Sequence, residues 1–187
     1  FGSDFNGLNS TANQIVNVLL VLEGGFTLAS NVALFAPLNT ENYTLVNGIL
    51  AATKKKFRQI GSLFLVLGLI VAVVYALVVN SGLSKEFIAT VIVMTVVPQA
   101  FNLFYATTYR VLLQTQQKEY IISLMTMLTV GLGHITNILL ITHGGQMWMV
   151  RFVTMVFALV NSFLIAGYVK KKCSFIDFKV EPRKDLI

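Results

Sequence analysis

Five apolar runs, separated by short charged segments, leave this chain few folds to adopt. About 20 apolar residues wound as a helix cross roughly 30 Å of hydrocarbon. Runs at about 15–36, 60–79, 87–109, 120–141 and 147–169 all reach that length. Lipid offers the backbone no hydrogen-bond partners, so each segment must satisfy its own amides, which a helix does internally. A barrel would need strands of about ten alternating residues, whereas the second and fourth runs are continuously apolar. The expected class is therefore an all-α integral membrane protein with five transmembrane helices. Composition agrees, because 56% hydrophobic and 12% charged residues leave too few ionic side chains to cover a soluble domain.

The charges orient these spans. Lys54, Lys55, Lys56 and Arg58 follow the first run, and Arg110 and Lys118 follow the third. Lys170, Lys171, Lys172, Lys179, Arg183 and Lys184 occupy the tail. Twelve of the fourteen basic residues thus share one side, and basic loops stay cytoplasmic. The C-terminal tail is expected inside and the N-terminus outside. A cytoplasmic start would need one more helix, and the chain opens on Phe1-Gly2-Ser3-Asp4 with neither methionine nor leader, so a preceding span is expected to be missing. The net charge of +6 carries little aromatic interleaving, so no nucleic-acid partner is expected. The single cysteine, Cys173, allows no internal disulfide, and His134 and His143 are too scattered to hold a metal. No cofactor is expected. Between the first two runs, Leu45, Ile49, Ala52 and Phe57 can share a helical face beside the lysines. That segment reads either as a short helix lying on the cytoplasmic leaflet or as an ordinary basic loop.

Polar residues inside the runs fall on faces. At 100° per residue, Asn13, Asn17, Gly24, Thr27 and Asn31 fit within roughly 80° of the first helix. Glu23 stands at the edge of that stripe, close to mid-span and beside Gly24-Gly25. The third run carries Thr95, Gln99, Asn102, Ala106 and Arg110; the fourth Thr126, Thr129, Gly133 and Asn137; the fifth Arg151, Thr154, Ala158 and Ser162. The second run instead presents Gly61, Gly68 and Ala72, a small-residue packing face. Taken singly, the Thr, Ser and Asn residues serve as interhelical bonds worth roughly 0.6 kcal/mol each. A stripe along the whole first helix argues instead for a wetted path. An ionised carboxylate at mid-bilayer costs on the order of 2.5–3.5 kcal/mol. Glu23 is thus either a functional group at a broken helix or the partner of a basic residue elsewhere. Arg151 either snorkels outward or contacts an anion, and Arg110 is either a topology anchor or a phosphate ligand. Pro98 is expected to kink the third helix beside Gln99 and Asn102. His134 reads as a hydrogen-bonded interior residue rather than a proton relay.

No nucleophile stands at motif spacing from a base, no glycine loop is shaped for phosphate, and no HExxH pair occurs. An enzyme is not expected. The order of segments instead resembles a transporter family. Phe1-Gly2-Ser3-Asp4-Phe5-Asn6-Gly7-Leu8 followed by Leu22-Glu23-Gly24-Gly25-Phe26 resembles the second helix of Wzx-type polysaccharide flippases. Ala33-Leu34-Phe35-Ala36-Pro37-Leu38 and Lys54-Lys55-Lys56-Phe57-Arg58-Gln59-Ile60-Gly61 are similar to that family's second-to-third helix connection. Arg110-Val111-Leu112-Leu113-Gln114 through Gln117-Lys118-Glu119-Tyr120-Ile121 is similar to its fourth-to-fifth connection, and Tyr168-Val169-Lys170-Lys171-Lys172 to the end of its sixth helix.

The resemblance implies the multidrug/oligosaccharidyl-lipid/polysaccharide exporter superfamily, whose members pair two lobes of helices, 12 to 14 in all, around a cavity. The five spans would be helices two to six, residues 1–173 the N-terminal lobe, and 174–187 a cytoplasmic linker to an absent second lobe. It implies a multi-pass protein of the cell membrane that flips undecaprenyl-pyrophosphate-linked oligosaccharide for surface polysaccharide synthesis by alternating access. Candidate cavity residues are Asn13, Asn17, Glu23, Thr27, Asn31, Gln99, Asn102, Arg110 and Arg151. Besides the lipid-linked oligosaccharide and membrane lipids, the resemblance admits a coupling ion (proton or sodium) and glycan polymerase or assembly proteins as partners. The alternatives are a cation-coupled multidrug antiporter of the same superfamily and a non-transporting scaffold of a glycan assembly complex.

Overall fold

A computed structural model describes residues 3–178 and 180–183. Over these residues the chain is helical and without strands, with seven α-helices: α1 (Ser3–Leu20), α2 (Phe26–Asn39), α3 (Tyr43–Val78), α4 (Lys85–Phe101), α5 (Thr107–Thr115), α6 (Glu119–Thr142) and α7 (Met147–Lys172). Helix starts follow the polar residues that precede them. Asn42 accepts from the Leu45 amide at 3.1 Å and Ser84 from the Phe87 amide at 3.3 Å, each satisfying an orphan donor of a first turn. Four helical stretches are long and apolar enough to cross a membrane: Tyr43–Val78, Lys85–Thr115, Glu119–Thr142 and Met147–Lys172. The bent pair Ser3–Glu23 and Phe26–Asn39 makes a fifth if counted as one span.

The first span differs from the expected continuous helix over 15–36. It starts at Ser3, tightens into a 3₁₀ turn at Val21–Glu23 and breaks at the diglycine. Gly24 and Gly25 adopt φ of 53° and 76°, a left-handed region that disfavours any side chain by about 1–2 kcal/mol. The two halves diverge by 45°.

The segment before the second apolar run is neither a leaflet-lying helix nor a loop. It is the opening third of α3, whose 36 residues extend for about 54 Å at 1.5 Å per residue. Val46, Ile49, Leu50 and Phe57 are at most 1% exposed, with α2 (Ser30 by Thr53, Phe26 on Phe57) and the tail (Phe175 on Tyr43) packed over this part of the helix. Protein, not lipid, covers that amphipathic face. Beyond it, α3 changes character: Val66, Ile70, Val73 and Leu77 are exposed apolar side chains along the stretch long enough to cross a membrane. The expected small-residue face is here. A Cβ on Gly61 would stand 3.3 Å from Leu103 Cβ, one on Gly68 would collide with Val96, and Ala72 is buried. α3 and α4 therefore approach closely along this seam.

The molecule thus has two layers. α1, the apolar end of α3, α4, α6 and α7 form a bundle of membrane length, and α2, the opening of α3, α5 and the tail form a collar at one end. The stretch after α7, expected as a linker, folds back onto the collar. Asn47 donates from Nδ2 to the Phe175 carbonyl at 2.8 Å and accepts from the Asp177 amide at 3.1 Å. The Arg183 amide donates to the Gly48 carbonyl at 3.1 Å. Gly48 permits this approach: a Cβ there would stand 2.8 Å from Arg183 Cγ and the arginine side chain would have to shift. Phe178 meets the Tyr109 ring at 5.9 Å, and Cys173, which ends α7, is buried under the tail. Phe1, Gly2, Lys179 and residues 184–187, which include part of the motif and basic tail read above, lie outside the described residues.

Candidate functional site: a polar cavity between α4, α6 and α7

The polar stripes of the third, fourth and fifth apolar runs face one another. They enclose a cavity of about 340 Å³, lined by Thr95, Gln99, Asn102 and Arg110; by Thr129, Gly133 and Asn137; and by Arg151, Thr154, Ala158, Asn161 and Ser162, with Asn13 of α1 at its edge.

Local chain chemistry aims the first of these walls. Pro98 has no amide to give the Met94 carbonyl, and both residues line the cavity. One turn later Asn102–Ala106 is wound as a π turn, closed by the Thr107 amide and by Thr107 Oγ1 on the Asn102 carbonyl, the latter at 3.0 Å. In an unbroken α-helix Asn102 and Arg110 would stand about 80° apart, and the residue wound into the π turn takes back about 100°, leaving about 20°. Pro98 lies inside α4, and the π turn that follows brings Arg110 closer in line with Asn102 on the cavity wall.

α6 and α7 are tied by two amide–hydroxyl bonds. Asn137 Nδ2 donates to Thr154 Oγ1 at 3.1 Å, and Asn161 Nδ2 donates to Thr126 Oγ1 at 3.3 Å. Gly133 lets Phe157 approach, with a hypothetical Cβ only 3.4 Å from its ring. Each asparagine uses one end of its amide in the tie. The other ends, Asn137 Oδ1 and Asn161 Oδ1, are buried without a partner, as are Asn102 Oδ1, Arg110 Nε and Arg151 Nε. Five unpartnered polar atoms around one space set this region apart, since buried polar atoms are nearly always hydrogen-bonded.

Arg151 does not snorkel; it is 7% exposed and donates from Nη2 to the Asn9 carbonyl at 3.2 Å. Arg110 is half-buried and also lines the cavity.

Of the nine candidate residues, Asn13, Gln99, Asn102, Arg110 and Arg151 line this cavity, and Asn17, Glu23, Thr27 and Asn31 do not. Asn17 is exposed. Thr27 donates to Glu23 one turn away. Asn31 turns toward the collar, donating to Gln114 at 3.3 Å and accepting from Thr115 at 3.0 Å. Glu23 lines a different cleft, with Lys56 and Gln59 of α3. That places it level with the basic cluster rather than at mid-span. The diglycine break divides Asn13 and Asn17 on α1 from Thr27 and Asn31 on α2, because a stripe projected at 100° per residue does not run through two left-handed residues. Asn161 and His134 were not among the candidates. Asn161 stands seven residues after Thr154 and three after Ala158, a spacing that already put it on that face. His134 lines the cavity while remaining exposed, so it is not the interior residue expected. No family model matches the chain, and no curated protein and no solved structure matches it.

Proposed function

We propose that this chain is one lobe of a two-lobed, multi-pass transporter, its five spans serving as helices two to six. The full protein carries an undecaprenyl-pyrophosphate-linked oligosaccharide across the cell membrane by alternating access. The observation that supports this reading most is the convergence of five unpartnered polar atoms, from three stretches of chain, on one cavity. Leaving a buried donor or acceptor unsatisfied costs about 1–3 kcal/mol each, so such a lining is stable only when wet or occupied. Sugar hydroxyls both donate and accept and suit a mixture of asparagine carbonyls and guanidinium N–H groups. Arg110 and Arg151 offer forked donors of the kind that pair with phosphate oxygens. The cargo's lipid tail stays in the bilayer, against the apolar flanks. One lobe supplies one wall, and transport requires a second lobe to rock against it.

The test is to deplete the full-length protein and follow the lipid-linked glycan precursor. Accumulation at the inner leaflet, relieved by the full-length gene but not by residues 1–187, is the expected result. Normal export combined with a new sensitivity to cationic drugs would instead assign the protein to the antiporters.

A further inference from the structure

A second constellation lies on the outside of the bundle, away from the polar cavity. Lys54, Lys55, Arg58, Gln59 and Ser62 of α3 line a cleft of about 490 Å³ whose outer wall is Phe178 and Pro182 of the tail. No carboxylate lines it among the described residues; Asp177 and Glu181 of the tail are exposed outside it. Lys54 and Arg58 stand four residues apart, a spacing at which like charges repel on a helix. Lys54 Nζ lies 3.9 Å from the centroid of the Phe178 ring, a contact that fixes the amine without neutralising it. The wall itself is held in place by the Asn47 bonds to the Phe175 and Asp177 backbone.

The position of the cleft along α3 is as informative as its charge. On its collar side Val46, Ile49 and Leu50 are covered by protein; on the other side Val66, Leu69, Ile70 and Val73 are exposed apolar side chains. The cleft therefore lies where a bilayer's headgroup layer would meet a helix whose apolar end crosses the hydrocarbon. Arg58, Ser62, Val66, Leu69 and Val73 succeed one another at spacings of three or four, a single face running from cations to apolar side chains.

We infer that this cleft binds the phosphate of an anionic lipid, with Lys54, Lys55 and Arg58 around the headgroup and the acyl chains along Val66, Leu69 and Val73. The inference rests on α3 crossing a bilayer and not on what the polar cavity carries.

The test uses the intact chain in phosphatidylcholine nanodiscs, with electron spin resonance of spin-labelled phosphatidylglycerol or phosphatidylcholine reporting the lipid held at the protein. Wild type should prefer phosphatidylglycerol. Each cation removed should lower that preference about fivefold, from roughly 1 kcal/mol per basic residue at an anionic surface. Lys54→Gln, Lys55→Gln and Arg58→Gln together should abolish it. Lys54→Arg with Lys55→Arg, which keeps charge and fold, should retain it. So should removing the same charge elsewhere, in Lys118→Gln, Lys171→Gln and Lys172→Gln. No preference in wild type, or an equal loss in that last variant, overturns the site. Displacement of the lipid by inorganic phosphate beyond that by chloride of matched ionic strength overturns the lipid assignment in favour of free phosphate.

Discussion

On α7 and on the α1–α2 pair alike, polar and small residues recur at helical spacings, yet their fates differ. Thr154, Ala158, Asn161 and Ser162 of α7 all reach one cavity, opposite Thr129, Gly133 and Asn137 of α6. Asn13, Asn17, Thr27 and Asn31 end in four different surroundings: the cavity edge, the exposed surface, a local bond to Glu23 and a bond to the collar. α6 and α7 are unbroken, so their periodicity becomes a face. In α1–α2 the periodicity crosses Gly24-Gly25, where two left-handed residues and a 45° bend rotate everything beyond. The break thus divides Asn13 and Asn17 from Thr27 and Asn31, while the stripe of the third run still reaches the cavity through Pro98 and the π turn.

The strongest way to break this comparison is to remove the break. Gly24→Ala with Gly25→Ala forces two side chains into left-handed backbone, at a cost of about 2–4 kcal/mol for the pair. The expected outcome is a markedly lower melting temperature in detergent. Unchanged or higher stability would mean that the helix can run straight, and that the α1–α2 stripe can form a face after all.

The next largest effect separates the two sides by function. In the full-length protein, Asn102→Leu with Asn161→Leu takes two unpartnered carbonyls from the cavity and should lower the proposed glycan export at least about tenfold, the equivalent of roughly 1.4 kcal/mol. Asn17→Leu, on the exposed flank of α1, should leave export within about twofold at equal expression, the range of a neutral surface change. Comparable losses in both would deny the cavity its special status.

A smaller effect sharpens the contrast. The Asn137–Thr154 bond ties α6 to α7, and the Thr115–Asn31 bond ties α5 to α2. Double-mutant cycles with Asn137→Ala/Thr154→Val and Asn31→Ala/Thr115→Val should each return a coupling near 0.6 kcal/mol, the usual value for bonds between membrane helices. Similar couplings would show that the two sides differ in what is left unbonded and not in how firmly they are tied. A much larger value at Asn137 would make the cavity asparagines structural.

These differences mark how far the residues alone could be read. Four of the five apolar runs became single membrane-length helical stretches, because continuous apolarity is itself the signal. The stripes of α4, α6 and α7 were legible for the same reason as their helices. What stayed hidden depends on contacts between distant segments. The face of Leu45, Ile49 and Phe57 looks the same whether lipid or protein covers it, and distant segments such as α2 and the tail decide which. Nothing in Ser174 to Arg183 announces that Asn47 will hold that backbone. The π turn after Pro98 brings Arg110, already on the projected stripe, closer in line with Asn102 by the rotation of one residue, a detail that a regular helical projection does not contain.

Glu23 is expected to give the smallest effect of all, although mid-span carboxylates are ordinarily costly and functional. The structure removes the premise: Glu23 is half-buried in a cleft with Lys56 and Gln59, level with the basic cluster of α3. Its one hydrogen bond is accepted from Thr27, and Glu23→Gln keeps an oxygen in the same place to accept it. What the substitution removes is the charge of a half-buried carboxylate beside an exposed lysine, so stability should change by no more than about 0.5 kcal/mol, the range of a surface substitution. Glycan export by the full-length protein should stay within about twofold, again the range of a neutral surface change. A tenfold fall at normal expression would place the diglycine break on the transport path, and α1–α2 would then stand beside α4, α6 and α7 as a wall of the same cavity.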